Sequence, residues 1–373
     1  MIFLQLKIDN FYMFKDAFID FTYPKKIKNS TIEGEYLTEF PKIKYKKVCI
    51  FMAANASGKT SLGRIMCAIN NYLAGRPVEE VPSKIYNKDK NSSLEVTYVT
   101  PDTKEIHQLK AKFNKIGLIF ESYQSCKLKK TLSLNDTLAE VNASKPKFKY
   151  DKNNNYDITN PGFQSIAFLK GYKPHGNIRA WHYMFSESNS STELNTNINI
   201  SLLEKILKSF DSSIVKIVKV SGNDKAYTIH FSNGDNVIVE DGKVLNSERL
   251  SRGTFEALEV SEFVYSVMNR NNATLFLDEK MAYSHSEIEI SMLNLMIEKL
   301  KENSQLFYTS HNYDILEMNL PSHSYIFMRK DKFVEVIHPE KLGYTKNDRN
   351  LLGFVKNDVF RTLPDTTRIE ELL

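Results

Sequence analysis

The chain opens on alternation. In residues 2–9, "IFLQLKID", Leu4, Leu6 and Ile8 alternate with Gln5, Lys7 and Asp9. That two-residue period predicts a strand with one buried face. A turn near Asn10–Phe14 follows, then "AFIDF", so residues 2–21 predict two strands. Residues 47–52, "KVCIFM", form a short apolar run, the pattern of a parallel strand covered on both faces. From Leu62 the period changes. Leu62, Ile65, Met66, Ile69, Tyr72 and Leu73 recur at helical spacing until Gly75-Arg76-Pro77 stops the helix. "SLEVTYV" (93–99), "EIHQLKAKF" (105–113) and "GLIFESYQ" (117–124) then predict the strands of a β-rich arm.

The second half is less regular. Residues 144–160 are polar and rich in Asn and Lys, a surface loop. A mainly helical stretch at about 161–186 carries Trp181, with Tyr172 and Tyr183 as aromatic neighbours. These rings read as core of a helical lobe, the alternative being a stacking platform for bases. Residues 186–200 read as a second flexible segment. A helix follows, then hairpin strands at 226–244, then alternating helix and strand to about 337. No internal repeat and no sustained heptads are present. The organisation is one domain over 1–373, with an N-terminal lobe (1–143), a helical lobe (144–225), a third lobe (226–337) and a tail (338–373). The tail offers either a closing helix on the core or a contact for a partner.

Composition narrows the class. Of 373 residues, 42% are hydrophobic and 25% charged, which is ordinary for a globular chain. No apolar run approaches the roughly 18 residues of a membrane span, and Lys7 and Asp9 interrupt the start too early for a signal peptide. Three scattered cysteines (Cys49, Cys67, Cys126) read as reduced thiols. A cytoplasmic protein without a membrane partner is expected. The net charge of +5 is unevenly spread: residues 1–152 hold 26 Lys and Arg against 16 Asp and Glu. The clusters "PKKIK", "KIKYKK" and "KLKK" suit either solvated strand edges or a surface for nucleic acid or an acidic partner.

The chemistry concentrates in four places. "AANASGKT" (53–60) ends as a phosphate-binding loop does, although Ala53 stands where the G-x-x-x-x-G-K-[ST] pattern has its first glycine. Such loops hold phosphate through backbone N–H groups and a lysine. "ATLFLDE" (273–279) is an apolar strand ending in Asp278-Glu279. "LFYTSH" (306–311) is another, delivering His311 at its carboxyl end, where ligands of open α/β sheets bind. "LSRGT" (250–254) opens a helix whose first N–H groups can face an anion.

In that order and spacing the chain resembles the ATPases of the ABC class, in the branch of SMC and OLD proteins. The opening "LQLKIDNFYMFKDAFIDF" is also similar to their first hairpin. The resemblance implies an α/β fold: an ABC-type P-loop ATPase head with a β-rich arm and a helical lobe. It implies ATP and Mg²⁺ as cofactors and slow hydrolysis to ADP and phosphate. The nucleotide would be bound by Ala53, Asn55, Ala56, Ser57, Gly58, Lys59, Thr60 and Ser61, with Lys59 on the β- and γ-phosphates. Thr60 and Asp278 would serve Mg²⁺, Glu279 would be the general base, and His311 would sense the γ-phosphate. Ser251 and Gly253 would act on ATP held by a second copy, giving a homodimer or higher homo-oligomer by ATP sandwich. Arg252 replaces the usual glycine. The glutamine that such ATPases carry between lobes would be Gln108, Gln124 or Gln164, with Gln164 preferred because it begins the helical lobe. Ala56 also sits where relatives often carry glycine. Alanine serves wherever φ is negative; only φ > 0 demands glycine. His285, just past the acidic pair, falls where the class has a subunit-contact loop.

Lys59 and Ser251 are too close for an SMC coiled coil, and only 62 residues follow His311, too few for the nuclease domain of OLD proteins. A stand-alone ATPase is expected. "LDEKMAYSHSEIE" (277–289) and "FYTSHNYDILEMNLPSH" (307–323) are similar to ATPases of bacterial phage-defence systems, of abortive-infection and PARIS type. That resemblance implies a sensor and scaffold holding a separate effector, a nuclease or toxin, released by a phage-encoded trigger. The alternative is a DNA-transaction ATPase that clamps DNA on dimerisation.

Overall fold

The computed structural model describes residues 1–24, 27, 30–75, 80–152, 180–186, 199–345, 351–364 and 367–371. In chain order the elements are β1 (Ile2–Asp9), β2 (Ala17–Asp20), β3 (Tyr36–Leu37), β4 (Phe40–Lys44), β5 (Val48–Met52), α1 (Lys59–Leu73), β6 (Ser92–Thr100), β7 (Glu105–Phe113), β8 (Leu118–Lys127), α2 (Leu134–Ala143), β9 (Phe148–Asp151) and β10 (Trp181–Met184). Then come α3 (Ile200–Phe210), β11 (Ile214–Val220), β12 (Asn223–Phe231), β13 (Asn236–Glu240), β14 (Lys243–Leu245), α4 (Arg252–Asn269), β15 (Thr274–Asp278), α5 (Ser286–Lys299), β16 (Gln305–Ser310), β17 (Tyr325–Lys330), β18 (Val334–Ile337), α6 (Leu351–Lys356) and α7 (Thr367–Glu370). The fold class is the α/β one expected. The chain forms two compact units. The first is Met1–Tyr183, Asn271–Phe276 and Glu302–Leu373; the second is Met184–Arg270 and Leu277–Lys301.

The first unit is built on two six-stranded sheets. The arm is antiparallel, in the order β2-β1-β6-β7-β8-β9. The other sheet runs β10-β15-β16-β5-β17-β18, and in it β5 lies between β16 and β17, parallel to both. Every residue of β5 and β16 is buried, as the unbroken apolar runs require. Phe51, Phe276 and Phe307, one from each of three neighbouring strands, stack with centroids 6.1–6.3 Å apart. Gln305, the first residue of β16, ties the arm to this sheet. Its Oε1 accepts from the Phe3 N–H at 2.9 Å, and its Nε2 donates to the carbonyls of Phe3 and Lys46, each at 3.0 Å. Phe3 needs such a partner because the β1–β6 register slips between Phe3 and Gln5. The described part of the tail packs inward: Leu351, Leu352 and Val355 are buried, and the Phe360 ring stacks 4.4 Å from that of Phe327.

The second unit carries a four-stranded meander, β11-β12-β13-β14. Ile217, Tyr227, Ile229, Val237 and Val239 turn to one face and pack on Leu203 and Leu207 of α3 and Ala257 and Leu258 of α4. The β13–β14 turn is Asp241-Gly242, with φ of +46° and +77°, the left-handed pair that a two-residue hairpin wants.

Three expectations change. Trp181–Met184 is a strand rather than the end of a helix; the aromatic run Trp181, His182, Tyr183 suits a strand, and Tyr183 stacks on Phe276 at 5.6 Å. The rest of that stretch, with Tyr172 and Gln164, lies outside the described residues. Phe148–Asp151, read as loop, is an edge strand paired with β8. Ile214–Val220 adds a strand to the meander; Lys216 and Lys219, both exposed, masked the period, Lys219 standing opposite the buried Tyr227.

Replacing Gln305 with Leu is expected to lower unfolding free energy by about 2–4 kcal/mol, because one buried N–H and two carbonyls lose their partner. Chemical denaturation of the two proteins measures it.

Candidate functional site

In the first unit the loop Ala53–Gly58 leaves the carboxyl end of β5 and enters α1 at Lys59. Gly58 caps the helix at φ +100°, and a Cβ placed there would stand 2.9 Å from Val334 Cγ2, so conformation and space both demand glycine. Lys59, 4% exposed, curls back over the loop and donates to the carbonyls of Ala53 at 2.7 Å and Ala54 at 3.0 Å. Ser57 is 4% exposed, and its Oγ has no hydrogen-bond partner among the described residues. A buried hydroxyl at the head of a 15-residue helix, two residues before a buried lysine, fits an anion such as a phosphate. Asn55 and Ala56 are exposed, and Thr60 and Ser61 follow in the first turn of α1.

The two alanines differ. Ala53 is fully buried and is absent from the positive-φ residues, so alanine there costs no backbone strain. Ala56 sits at φ +60°. A left-handed conformation costs an L-residue on the order of 1–2 kcal/mol. The loop therefore keeps its shape against the preference of its own residue.

β16 brings His311 to the same end of the sheet. Ser310 pairs in register with Met52, so His311 follows at the level of Ala53. His311 is exposed. It is flanked by order: the Asn312 N–H donates to Ser310 Oγ at 3.0 Å, and Asn312 Oδ1 caps the next turn through the Asp314 N–H at 3.0 Å.

The acidic pair and the "LSRGT" helix belong to the second unit. Asp278 is fully buried, and Ser186 Oγ donates to its Oδ2 at 3.1 Å. Glu279 stands at φ +47°, a second non-glycine residue in the left-handed region. Lys280, 2% exposed, donates to Glu259 Oε2 of α4 at 2.7 Å. At the head of α4, Ser251 Oγ accepts from the Thr254 N–H at 3.0 Å, and the Thr254 hydroxyl donates to Asp211 at 3.0 Å. Burial works to raise Asp211, but bonds from Ser213 and Thr254 outweigh it and hold its carboxyl below the usual range. Ser251 and Arg252 are exposed, with Gly253 half-buried beside them. The Arg252 guanidinium lies 3.7 Å over the Tyr283 ring, so Arg252 is packed against a neighbour while remaining open to solvent. Burial pushes Glu256 up to about 7, against the opposing charges of Arg252 and Lys280 and a bond from the Tyr283 backbone. His285 is the exposed residue before α5 and makes no side-chain cap.

Gln108 and Gln124 lie opposite each other on β7 and β8. The Gln124 amide donates to Gln108 Oε1 at 2.8 Å and to the Val141 carbonyl at 2.7 Å, and the Gln108 amide donates to Glu95 and Asn142. Their hydrogen bonds hold α2 on the arm. Ser186, Glu259 and Tyr283 were not singled out by sequence. Glu259 had a signal: it is one of two carboxylates, with Glu256, a turn apart inside a helix buried along most of its length.

No protein-family model matches the chain, and no curated protein matches it. Solved structures similar to it include an Smc head bound to the C-terminal winged-helix domain of ScpA, at 14% identity and TM-score 0.49, covering 92% of this chain and 99% of that one. The SMC head domain from Thermotoga maritima has 10% identity and TM-score 0.38, covering 91% and 99%. The recombination mediator RecF with ATP has 14% identity and TM-score 0.37, covering 90% and 97%.

Ala56→Gly is expected to raise stability by about 1 kcal/mol, since glycine removes the left-handed cost; thermal unfolding checks it. Glu256 binds its proton more tightly folded than unfolded, where 4.5 is its ordinary value. Its stabilising contribution is complete below that value and is lost as pH rises through about 7. Wild type should therefore lose stability relative to Glu256→Gln on going from pH about 5 to about 8, read as diverging denaturation midpoints.

Proposed function

We propose that the protein binds and hydrolyses ATP as an ABC-type ATPase and works as a nucleotide-driven switch. The observation that carries this is the loop at the head of α1: a buried ammonium folded on the loop carbonyls beside a buried serine hydroxyl with no partner among the described residues. Lys59, Ser57 and the loop N–H groups bind the phosphates. Thr60 and, in the second unit, Asp278 would hold Mg²⁺, which when bound would supply charge neutralisation for the phosphates. The buried Asp278 carboxylate, oriented by Ser186, suits that task. Glu279 takes a proton from the attacking water, and His311 contacts the γ-phosphate. Ser251 and Gly253 reach the nucleotide of a second copy, and the glutamine between lobes would be Gln164, which lies outside the described residues.

The output we propose is anti-phage defence, with ATP state deciding whether a separate nuclease or toxin is held or released on a phage-encoded trigger. The stretches 277–289 and 307–323 support this reading through their similarity to defence ATPases. Capture of a stoichiometric effector on tagged Glu279→Gln protein from its native host tests it; recovery of nuclease-sensitive DNA alone would move the output to DNA.

A second reading, a DNA-clamping ATPase, is favoured by one row across the arm. Phe18, Lys7, Glu95, Lys110, Ser122 and Lys149 lie opposite one another on successive strands. Lys112 and Lys149 flank the Phe120 ring, each 5.9 Å from its centroid. Beside them is a concavity of about 450 Å³. One carboxylate, Glu95, serves both Lys7 and Lys110, at 3.6 and 3.8 Å. On this reading duplex DNA binds only with ATP present and loses affinity steeply between about 50 and 200 mM salt. Absence of binding at low salt ends the reading.

Glu279→Gln is expected to cut ATP turnover by about 100-fold or more, the usual worth of a general base, while leaving nucleotide binding intact. The same protein with ATP should sediment as a dimer at micromolar concentration. A monomer there removes the role of Ser251 in trans.

A further inference from the structure

We propose that Glu259 is a positioning residue for this ATPase, acting through Lys280 to hold Glu279 in its left-handed conformation; the inference rests on the reading of Glu279 as the base. A glutamate in an ordinary turn relaxes out of positive φ, because its Cβ crowds the carbonyl that follows. Glu279 stays at φ +47°. Both its neighbours are pinned. Asp278 ends a strand, is fully buried and accepts from Ser186. Lys280 buries its whole stem and ends in an ion pair with Glu259 at 2.7 Å, both side chains 3% exposed.

The rest of the segment is tied to the same helix. Tyr283 stacks under Arg252, and its backbone bonds Glu256, so α4 presents residues 252, 256 and 259 to the segment 280–283. These positions follow one another along one face of the helix. The chain after the acidic pair is thereby laid along α4, and Glu279, at φ +47°, takes up the change of direction at the end of β15. The strain sits on the residue whose carboxylate must point at water, which is where such strain is functional. Releasing Lys280 lets residue 279 return to negative φ and swings the carboxylate away from its line of attack.

The test compares three full-length proteins. Removing Glu259 alone would leave a buried ammonium unpaired and endanger folding. The informative variant is therefore Glu259→Met with Lys280→Met, which keeps the packing and removes the clasp, beside Lys280→Arg, which keeps the pair. Cooperative thermal unfolding establishes that each is folded. The clasp predicts that the double Met variant keeps its KM for ATP within about threefold and loses kcat on the order of 100-fold, the cost of a misplaced catalytic group. Lys280→Arg recovers kcat to within about threefold of wild type. Equal kcat in the double Met variant and wild type overturns the proposal, as does an equal loss in the Arg and Met variants. A wild-type protein that hydrolyses no ATP overturns the ATPase reading itself, a result distinct from either.

Discussion

The parallel pairing of β5 with β16 and β17 is the constraint on which the first unit depends. A parallel strand in the middle of a sheet cannot turn straight back onto its neighbour, and here β5 leaves at its carboxyl end through the loop and α1, on to β6 of the arm. The pairing also fixes what stands beside the loop. Because Ser310 is level with Met52, His311 can appear nowhere else than next to Ala53. The stacked rings of Phe51, Phe276 and Phe307 make that register costly to slip, since a shift of one residue would turn each ring to the opposite face.

The second unit obeys a different logic. Its meander is an ordinary one-sided sheet, but α4 is not an ordinary covering helix. The face of α4 away from Ala257 and Leu258, which pack on the meander, carries two buried carboxylates, Glu256 and Glu259. Such groups are tolerated only with partners: Lys280 and the Tyr283 backbone come from the segment that follows β15, and Arg252 from α4 itself. Polar burial thus specifies where that segment lies, which apolar packing alone would leave degenerate.

Much of this was legible in the chain. The strands of the arm other than β9, together with β5, α1, β15, β16 and the Ser251 cap, were readable because each has a strong period and a chemical stop signal. β11 was hidden by Lys216 and Lys219, which interrupt alternation on an edge strand. The strand at Trp181 was hidden by its aromatic residues, which suit a helix core as well as a sheet. The residues of the candidate site could be named from the chain but their partners could not: Ser186 lies 92 residues before Asp278, and no local pattern reports such a bond. Nor could sequence separate the two alanines. Ala53 and Ala56 look like equal departures from a glycine pattern, and only the backbone angle shows that one is free of strain and the other is not.

If the loop binds nucleotide as proposed, the geometry of Lys59 bears on the heat of that binding. Its ammonium already donates to two loop carbonyls. A phosphate that recruits it does so by exchange, trading two neutral acceptors for charged ones. The number of hydrogen bonds changes little, so the favourable term is the difference between neutral and charge-assisted bonds. The loop comes to its ligand with the lysine already out of water, its desolvation met during folding rather than at the moment of capture. On the proposed reading, discrimination between a triphosphate and a diphosphate then falls to the groups that meet the terminal phosphate, with the lysine a common anchor for both.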